Sequence, residues 1–527
     1  MNRTTNRLLA AAGILVLASM TALAADTRPD VVVAVNELPR GLEPVENTGN
    51  VDVRATYSIF DTLIRRDFTA EGGGNASLKP LLAESWKRLS PTVLEVKLRR
   101  GVKFHNGEEF TADDVVFTFS PERMLGKEAV VPGGRHYFGH LKEVAKVAPY
   151  TVHFVTEKPD VVLEQRLATY TSWIVSRKQW MQYHKADDKT WMQHALREIR
   201  WNPVGTGPLK FRDWKKDQYV AFAAHDNYFL GRPNFKTATL REVPELSTRI
   251  AGLASGDFDI IVDVAPDQYK VLARYRDIDV QSVVLENSHV LVFNANAPSL
   301  KDKRLRQALS LAIDRKKLRD ALWLGKNYTP NGHQLKSFGP MYNAKRAGYV
   351  YDAEKARRLV KESGYDGKTI TFRLIANYYL NGLESAQVLL EMWKAVGINV
   401  KLELVDNFKQ VRAPGIEIHQ WSNSYRIPDP AGAINVLYGP QSSMQRTYKF
   451  WQAPEEFNKA AELIDTTADM KERYNAFQRM LDIFEDEMPM TILYNPLYGY
   501  ASKHRIDWKP YPLYYMDFRP DVFRIRK

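Results

Sequence analysis

The sequence predicts an α/β protein with more than one hydrophobic core. The chain has 527 residues, of which 44% are hydrophobic, and this length is enough for about two to four cores. Strand-like runs with a period of two residues alternate with helix-like runs along the chain. We find no convincing internal repeat or low-complexity segment, which disfavours solenoids, propellers and disordered scaffolds.

The N-terminus has the features of a cleaved export signal. Arg3 and Arg7 precede an uncharged apolar run from Leu8 to Ala24, and Ala22 and Ala24 are the small residues that a signal peptidase needs. We therefore expect a signal peptide over residues 1–24. An uncleaved membrane anchor is the alternative, and the lack of a strong stop-transfer pattern disfavours it. Because the chain has no cysteine, we expect neither disulfides nor a lipid anchor, and we place the protein in a Gram-negative periplasm.

The best-patterned stretch predicts a strand, a turn and the start of a helix. Leu94, Val96 and Leu98 alternate with charged residues, as in a half-buried strand. Asn106 and Gly107 favour a tight turn, and the segment 111–114 (TADD) places a capping hydroxyl before an apolar run.

Two later stretches predict helices. In the segment 351–367, YDAEKARRLVKESGYDG, a Tyr-Asp start precedes a helical pattern that Gly364 ends. The other helix presents one apolar stripe to the core, formed by Leu305, Ala308, Leu309 and Ala312.

The charge pattern disfavours nucleic acid as a partner. The net charge is +12, but the basic residues are spread along the chain, without a zinc-finger spacing, an RNA-binding signature or a long basic block. The surplus is compatible with anionic solutes.

Three long segments carry a family resemblance in the same order as in that family. They are LKPLLAESWKRLSPTVLEVKLRRGVKFHNGEEFTADDVVFT (78–118), the stretch 201–261 beginning WNPVGTGP and ending SGDFDII, and FNANAPSLKDKRLRQALSLAIDRKKL (293–318). The chain resembles extracellular solute-binding proteins of family 5, which serve peptide-, opine- and nickel-type ABC importers.

The resemblance implies a bilobal periplasmic binding protein of the large peptide-binding type (cluster C), with a two-segment hinge. Lobe I is then expected over residues 25–287 and 497–527, with an inserted subdomain over about 60–201, and lobe II over 288–496. Ligand would be enclosed by lobe closure and passed to an inner-membrane permease. The expected protein is a monomer without a cofactor.

An enzyme is the alternative of a different class, for example a periplasmic hydrolase acting on sugar conjugates. The sequence has no G-x-S-x-G elbow, H-E-x-x-H helix or cysteine nucleophile, although paired carboxylates would leave no local signature. Metal binding is disfavoured. Only His136 and His140 have a spacing that would suit a metal ion on a helix, and Gly139 interrupts that helix.

The segment 419–430, HQWSNSYRIPDP, predicts what the protein binds. In dipeptide binders of the family this loop carries an aspartate that holds the peptide amine, whereas here the place is occupied by Ser422, Asn423 or Ser424. Tyr378 and Tyr379 stand near the place of the arginine that holds the peptide carboxylate. Burying both ends of a zwitterion without partners costs several kcal/mol, so ordinary peptides are disfavoured. Asp429, followed by Pro430, is interpreted as a structural turn.

Several residue types suit a sugar instead. Aromatic faces with hydroxyls and amides are typical of carbohydrate sites, and packing between helices is the open alternative for each aromatic residue. The candidates in this group are Tyr379, Trp421, Ser422, Asn423, Ser424 and Tyr425.

A second candidate segment is glycine-rich and basic. Gly133 and Gly134 could turn backbone N–H groups toward an anion, and Arg135 and His136 follow directly. An exposed loop with a solvated arginine is the alternative.

Four further lining residues are expected elsewhere. Asn36 and Glu37 follow a buried strand over residues 31–35, and ligand sites gather at the carboxyl ends of strands. Tyr57 and Tyr514 are expected to line the site.

Together these residues predict a sugar-containing solute, with or without a phosphate. The segment 31–67, which begins VVVAVNELPRGLEP, is similar to the agrocinopine-binding branch, whose ligands are opine sugar phosphodiesters. An oligopeptide or another small solute is the alternative within the family.

Overall fold

The computed structural model describes residues 26–70, 77–376 and 378–526. The predicted signal peptide, residues 1–24, lies outside the described residues.

The strands, in chain order, are β1 (Val31–Val35), β2 (Ile64–Arg66), β3 (Leu78–Pro80), β4 (Ala83–Ser90), β5 (Val93–Leu98), β6 (Leu141–Ala148), β7 (Thr151–Thr156), β8 (Leu209–Lys215), β9 (Tyr219–Ala224), β10 (Thr237–Glu242), β11 (Ile260–Val264), β12 (Ile278–Val284), β13 (Asn287–Phe293), β14 (Ile370–Leu374), β15 (Val400–Leu404), β16 (Ile418–Ser424), β17 (Met490–Tyr494), β18 (Leu497–Lys503), β19 (Ile506–Asp507) and β20 (Arg524–Ile525).

The α-helices are α1 (Asn50–Ile59), α2 (Ala112–Thr118), α3 (Leu163–Arg166), α4 (Arg177–Met181), α5 (Trp191–Ile199), α6 (Leu246–Ser255), α7 (Tyr269–Leu272), α8 (Lys303–Leu311), α9 (Arg315–Trp323), α10 (Ala353–Glu362), α11 (Gly382–Lys394), α12 (Phe408–Val411), α13 (Ile434–Tyr438), α14 (Ser443–Arg446), α15 (Glu455–Thr466) and α16 (Met470–Glu487).

The described strands form two large sheets, one smaller sheet and two short strand pairs. The seven-stranded sheet has the order β12-β18-β11-β1-β10-β9-β8, and the five-stranded sheet has the order β15-β14-β16-β13-β17. A four-stranded antiparallel sheet, β4-β5-β7-β6, packs in the same core as the seven-stranded sheet. We call the part built on the seven- and four-stranded sheets the first lobe, and the part built on the five-stranded sheet the second lobe.

Each lobe has apolar side chains on both faces of its main sheet. On β1, Val33 and Val35 point into one core while Ala34 points into another. On β13, Val292 and Phe293 likewise face different cores. A strand buried on both faces is continuously apolar, which explains runs such as VVVAV.

Two adjacent segments join the lobes. The chain leaves β12 of the first lobe and enters β13 of the second through Leu285 and Glu286, and it returns from β17 to β18 through Asn495 and Pro496. The Leu285 N–H donates to the Pro496 carbonyl at 3.0 Å, and Asn495 Nδ2 donates to the Leu285 carbonyl at 2.9 Å. The crossing segments are therefore bound to each other.

The strand, turn and helix predicted from the sequence are confirmed. Leu94, Val96 and Leu98 are buried in β5, and Gly107 has a positive φ of 87°. Thr111 Oγ1 accepts the Asp113 N–H at the start of α2, as a capping residue does.

The two predicted helices are confirmed as well. The tyrosine–aspartate start corresponds to α10, where the Asp352 side chain caps the helix, and Gly364 follows its end with a φ of 70°. The predicted apolar stripe of α8 is buried in the second lobe.

Candidate functional site

Two adjacent cavities with a shared wall lie between the lobes. The first chamber has a volume of about 510 Å³, and the second chamber has a volume of about 370 Å³. Both chambers are lined by residues from the two lobes, and the residues that line both are Arg40, Asn50, Tyr378, Tyr379 and Phe408. A solute that reaches across this shared wall would contact both chambers.

The floor of the first chamber forms where two parallel strands end. β1 and β11 are neighbours in parallel register, with Val33 opposite Ile260, so their carboxyl ends meet. Asn36 and Glu37 follow β1, and Asp263 lies near the end of β11. This is where ligand sites gather in α/β sheets.

A buried arginine faces this floor. Arg54 on α1 is only 2% exposed at its side chain, and its Nη2 lies 3.5 Å from Asp263 Oδ2. The same Nη2 donates to the Tyr498 hydroxyl at 3.2 Å. Among the described residues, its Nε and Nη1 have no hydrogen-bond partner. Arg54 therefore has donors left for a bound molecule.

The second chamber is aromatic and basic. The Arg412 guanidinium lies 4.0 Å from the centre of the Trp421 ring, and its Nη1 donates to the Tyr448 hydroxyl at 2.7 Å. The Arg426 guanidinium lies 3.7 Å from the centre of the Tyr170 ring. Both contacts are in the range of cation–π interactions.

Neither of these two arginines forms an ion pair with a carboxylate in the part of the chain that the structure describes. The acidic residue that lines the second chamber, Glu46, is instead bound to Arg200. A half-buried guanidinium without a carboxylate partner is a preferred binding group for phosphates and carboxylates.

Polar contacts across the second chamber hold the lobes together. Arg426 of the second lobe donates to the Thr48 carbonyl of the first lobe at 2.9 Å. Asn50 Nδ2, at the start of α1, lies 3.5 Å from Ser422 Oγ on β16. The chamber therefore exists in this form only while the lobes are in contact.

Burial shifts the pKa values of titratable groups in both chambers. Desolvation raises the pKa of Glu37 and lowers the pKa of His289 to about 3. The pKa of His136 is lowered to about 4 by the same effect. Both histidines are therefore neutral near pH 7, and the positive charge of the second chamber comes from its arginines.

The structure brings most of the predicted residues into one of the two chambers. Asn36, Glu37, Tyr379 and Tyr514 line the first chamber. His136, Tyr379, Trp421, Ser422 and Ser424 line the second.

Three predicted residues pack elsewhere. Tyr57 stacks on Tyr515 with 4.3 Å between ring centres. Successive side chains of a strand point to opposite faces, so Asn423 points away from the second chamber and its Nδ2 lies 3.1 Å from His333 Nε2. Tyr425 is fully buried, with its hydroxyl 2.9 Å from Ser288 Oγ. Tyr425 packs in the core of the second lobe, as in the alternative of an aromatic residue packing between elements.

Of the residues predicted in the glycine-rich segment, only His136 lines one of the two chambers. Pro132–Tyr137 forms a 3-10 helix, and Gly133, Gly134 and Arg135 line neither chamber. Gly134 is needed for close packing, because a Cβ there would lie 2.2 Å from Met124 Sδ. Arg135 is exposed, in agreement with the alternative of a solvated arginine.

Sequence reasoning found Glu37 but missed Asp263 and the arginines that line the chambers. Arg426 stands in the same segment as Trp421 and could have been found there, since the segment was already singled out. Arg412, Arg54 and Asp263 come from separate stretches, and no local spacing in the sequence brings them together.

Asp429 has the structural role expected of it. Its carboxylate accepts two hydrogen bonds from Arg473 Nη2, at 2.9 and 3.0 Å, and one from the Ala431 N–H at 2.8 Å.

No helix within residues 26–70, 77–376 and 378–526 is both long and apolar enough to span a membrane. In the same ranges, no group of three or more histidine, aspartate or glutamate side chains is arranged to hold a metal ion.

Comparison with known proteins identifies relatives over most of the chain. Residues 77–445 match the family described as bacterial extracellular solute-binding proteins, family 5. An oligopeptide-binding protein, AppA of Bacillus subtilis, is 26% identical over 484 residues, which cover 86% of this chain and 83% of AppA.

Two solved structures have the same fold. The periplasmic binding protein DppA from Helicobacter pylori, in complex with the peptide STSA, has a TM-score of 0.83 and 21% identity, covering 95% of this chain and 99% of DppA. AgaA from A. tumefacien R10, in complex with agropinic acid, has a TM-score of 0.81 and 20% identity, covering 94% of this chain and 99% of AgaA. With the two-lobe α/β architecture and the family match over residues 77–445, the chain belongs to the bacterial extracellular solute-binding proteins of family 5.

Proposed function

We propose that the protein is the periplasmic solute-binding component of an ABC importer and that its cargo is a sugar-containing, anionic solute of the opine type, such as a sugar phosphodiester of the agrocinopine kind. It binds the solute between its lobes and delivers it unchanged to an inner-membrane permease. The observation that carries the choice of cargo is the second chamber, where Arg412 and Arg426 lie on aromatic faces without carboxylate partners.

The lining of the second chamber supports a sugar next to the anion. Trp421 and Tyr379 present flat faces, and Ser422 and Ser424 provide hydroxyls. Aromatic faces with a few polar groups are typical of small-molecule sites that also bind carbohydrates. The likeness to AgaA, whose structure contains agropinic acid, is in keeping with this cargo.

A peptide is the second candidate, because AppA and DppA bind peptides. Arg412 or Arg426 could hold a peptide carboxylate. A peptide amine has fewer acceptors in the second chamber, since Glu46 is engaged by Arg200. The family resemblance also implies Ser422, Asn423 or Ser424 at the place where dipeptide binders have an aspartate. Cargo identified by native mass spectrometry of protein purified from the periplasm distinguishes the two candidates: a bound peptide would overturn the sugar proposal.

The arginines provide a test of the anion site. Removing one charge-assisted hydrogen bond costs about 1.5–3 kcal/mol, or roughly 10- to 100-fold in affinity. We expect Arg412→Gln and Arg426→Gln each to weaken the binding of agropinic acid or glucose 1-phosphate by this factor in calorimetry.

Arg135→Gln is the matched control, because Arg135 is exposed and lines neither chamber. Its affinity should equal that of the wild type. Unchanged binding in both the Arg412 and the Arg426 variant, or an equal loss in the Arg135 variant, would contradict the proposed site.

A further inference from the structure

The first chamber contains a carboxylate in an unusual backbone conformation. Asp263 has a positive φ of 57°, and the pairing of β11 with β18 shifts register between Ile261 and Val264. A non-glycine residue in this region is strained by about 1 kcal/mol or more and persists only where its surroundings hold it. Such bulges re-aim side chains next to functional sites.

The neighbouring strand is shaped to accommodate this bulge. Gly499 on β18 lies so close to it that an added Cβ would be 2.3 Å from the Val264 carbonyl oxygen. The Asp263 side chain is 10% exposed and belongs to the chamber wall. The bulge therefore presents an almost buried carboxylate to the cavity.

Several residues that line the same chamber have buried polar atoms without a hydrogen-bond partner. Arg54 Nη2 is at 3.5 Å from Asp263, the limit of a hydrogen bond. Within the described ranges, Arg54 Nε and Nη1, Arg249 Nε and His289 Nδ1 have no partner, and these three residues line the chamber and are each at least nine-tenths buried. Unpaired buried polar groups cost about 1–3 kcal/mol each, so a bound molecule that pairs them gains affinity.

The balance of donors and acceptors decides which chemical group fits. The chamber is lined by three arginines and five carboxylates: Arg40, Arg54 and Arg249, and Glu37, Glu245, Asp263, Glu384 and Asp406. Next to Asp263, however, a donor and an acceptor lie side by side, because Arg54 Nη2 is 3.5 Å from its carboxylate. An ammonium group only donates and a carboxylate only accepts, whereas a hydroxyl does both. Neighbouring hydroxyls can donate to Asp263 while they accept from Arg54.

We propose that Asp263 is a specificity-determining residue that binds the hydroxyl groups of the sugar part in the first chamber, while the anionic group occupies the second chamber. This assignment rests on the proposed function and adds to it that the cargo is bipartite. Its polyhydroxyl part is recognised by the first lobe and its anion mainly by the second.

The test compares two probes in calorimetry, glucose 1-phosphate and inorganic phosphate. Asp263→Asn removes the charge, and asparagine tolerates a left-handed backbone better than other non-glycine residues. We expect the variant to bind glucose 1-phosphate about 10- to 100-fold more weakly and inorganic phosphate as the wild type does. Asp263→Gly, which also permits a positive φ, should give the same pattern.

The control is Asp217→Asn, the same change at another aspartate with a positive φ, 55°, in an exposed position away from both chambers. It should leave both affinities unchanged, and the melting temperatures of all variants verify that they are folded.

The outcomes separate this inference from the proposed function. The role of Asp263 is overturned if Asp263→Asn binds glucose 1-phosphate normally, if it loses inorganic phosphate equally, or if wild-type protein binds glucose 1-phosphate no more tightly than inorganic phosphate. The proposed anion site fails instead if wild-type protein binds neither probe, or if Arg412→Gln alters neither affinity.

Discussion

Single residues in the second chamber prepare a charged site before any solute arrives. Arg412 is held by the Trp421 face at 4.0 Å and by the Tyr448 hydroxyl at 2.7 Å. A carboxylate partner would fix the guanidinium more tightly, but it would also neutralise the charge and compete with an anionic ligand. Aromatic and hydroxyl contacts orient the arginine while leaving its charge available.

Buried histidines give the folded protein a defined dependence on pH. Burial lowers the pKa values of His105, His289, His333 and His419 to about 3 each, compared with about 6.5 in an unfolded chain. Below pH 6.5 the unfolded state therefore binds more protons than the folded state. For each of these histidines, the free energy of unfolding falls by about 1.4 kcal/mol per unit decrease in pH.

Two carboxyl groups act in the opposite direction. Burial raises the pKa of Asp465 to about 7 and that of Asp114 to about 6, so these groups take up protons in the folded state and offset part of the loss. With His136, whose pKa is lowered to about 4, included among the histidines, we expect the free energy of unfolding in urea to fall by about 4 kcal/mol from pH 7.5 to pH 5.5. Equal or greater stability at pH 5.5 would contradict neutral buried histidines.

Individual elements were predictable where local chemistry determines them. The alternation in β5, the threonine cap of α2 and the aspartate and glycine at the ends of α10 all follow from backbone rules that act over a few residues. The chambers were predictable only in part, because strand alternation separates Ser422 and Ser424 from Asn423, but the sequence does not tell which face of β16 is turned to the cavity.

The remaining parts of the site depend on long-range contacts. Arg54 on α1 and Asp263 on β11 are 209 positions apart in the sequence, and only the folded chain brings them together. The register shift that turns Asp263 into the chamber arises from pairing with β18, near the C-terminus. The glycine-rich segment was expected to turn toward an anion. Gly134 instead packs against Met124, a contact that the sequence of the segment does not reveal.

Helix α1 brings Asn50 and Arg54 into the chambers, and its first turn depends on Asp52. The buried Asp52 carboxylate accepts the Gly49 N–H at 2.9 Å and the Arg40 N–H at 2.8 Å, and it is paired with the Arg40 guanidinium. We expect Asp52→Asn to lower the free energy of unfolding by about 1–3 kcal/mol, because a buried amide cannot accept all three donors.

Asp113→Asn is the matched control in the first turn of α2, where the carboxylate is exposed and paired with Lys146. Its unfolding free energy in urea should change by less than about 0.5 kcal/mol. Similar losses in the two variants would assign the effect to helix charge rather than to the buried contacts of Asp52.

At the scale of the whole molecule, the lobes also touch outside the chambers. The Val161 N–H of the first lobe donates to the Asp465 carbonyl at 3.0 Å, and Arg166 Nη2 lies 3.1 Å from Asp465 Oδ2. Lys158 and Glu462 form an exposed ion pair nearby at 2.6 Å. These contacts favour the form in which the lobes meet, so they add to solute affinity without touching solute.

Removing the buried contact between Arg166 and Asp465 should therefore weaken solute binding, although neither residue lines a chamber. We expect Asp465→Ala to lower affinity for glucose 1-phosphate about 3- to 10-fold, since Arg166 keeps Asp160 as a partner and the interaction lost is worth about 1 kcal/mol. Glu462→Ala, which removes the exposed pair, should change affinity less than twofold. A larger effect of Glu462→Ala in calorimetry would contradict this account.

The two hydrogen-bonded crossing segments determine where the second lobe begins and ends along the chain. Because Leu285 and Pro496 are hydrogen-bonded neighbours, the polypeptide that builds the second lobe begins and ends at one spot. It is an insertion with coincident ends, so a short turn is long enough to bridge the gap if that stretch is excised.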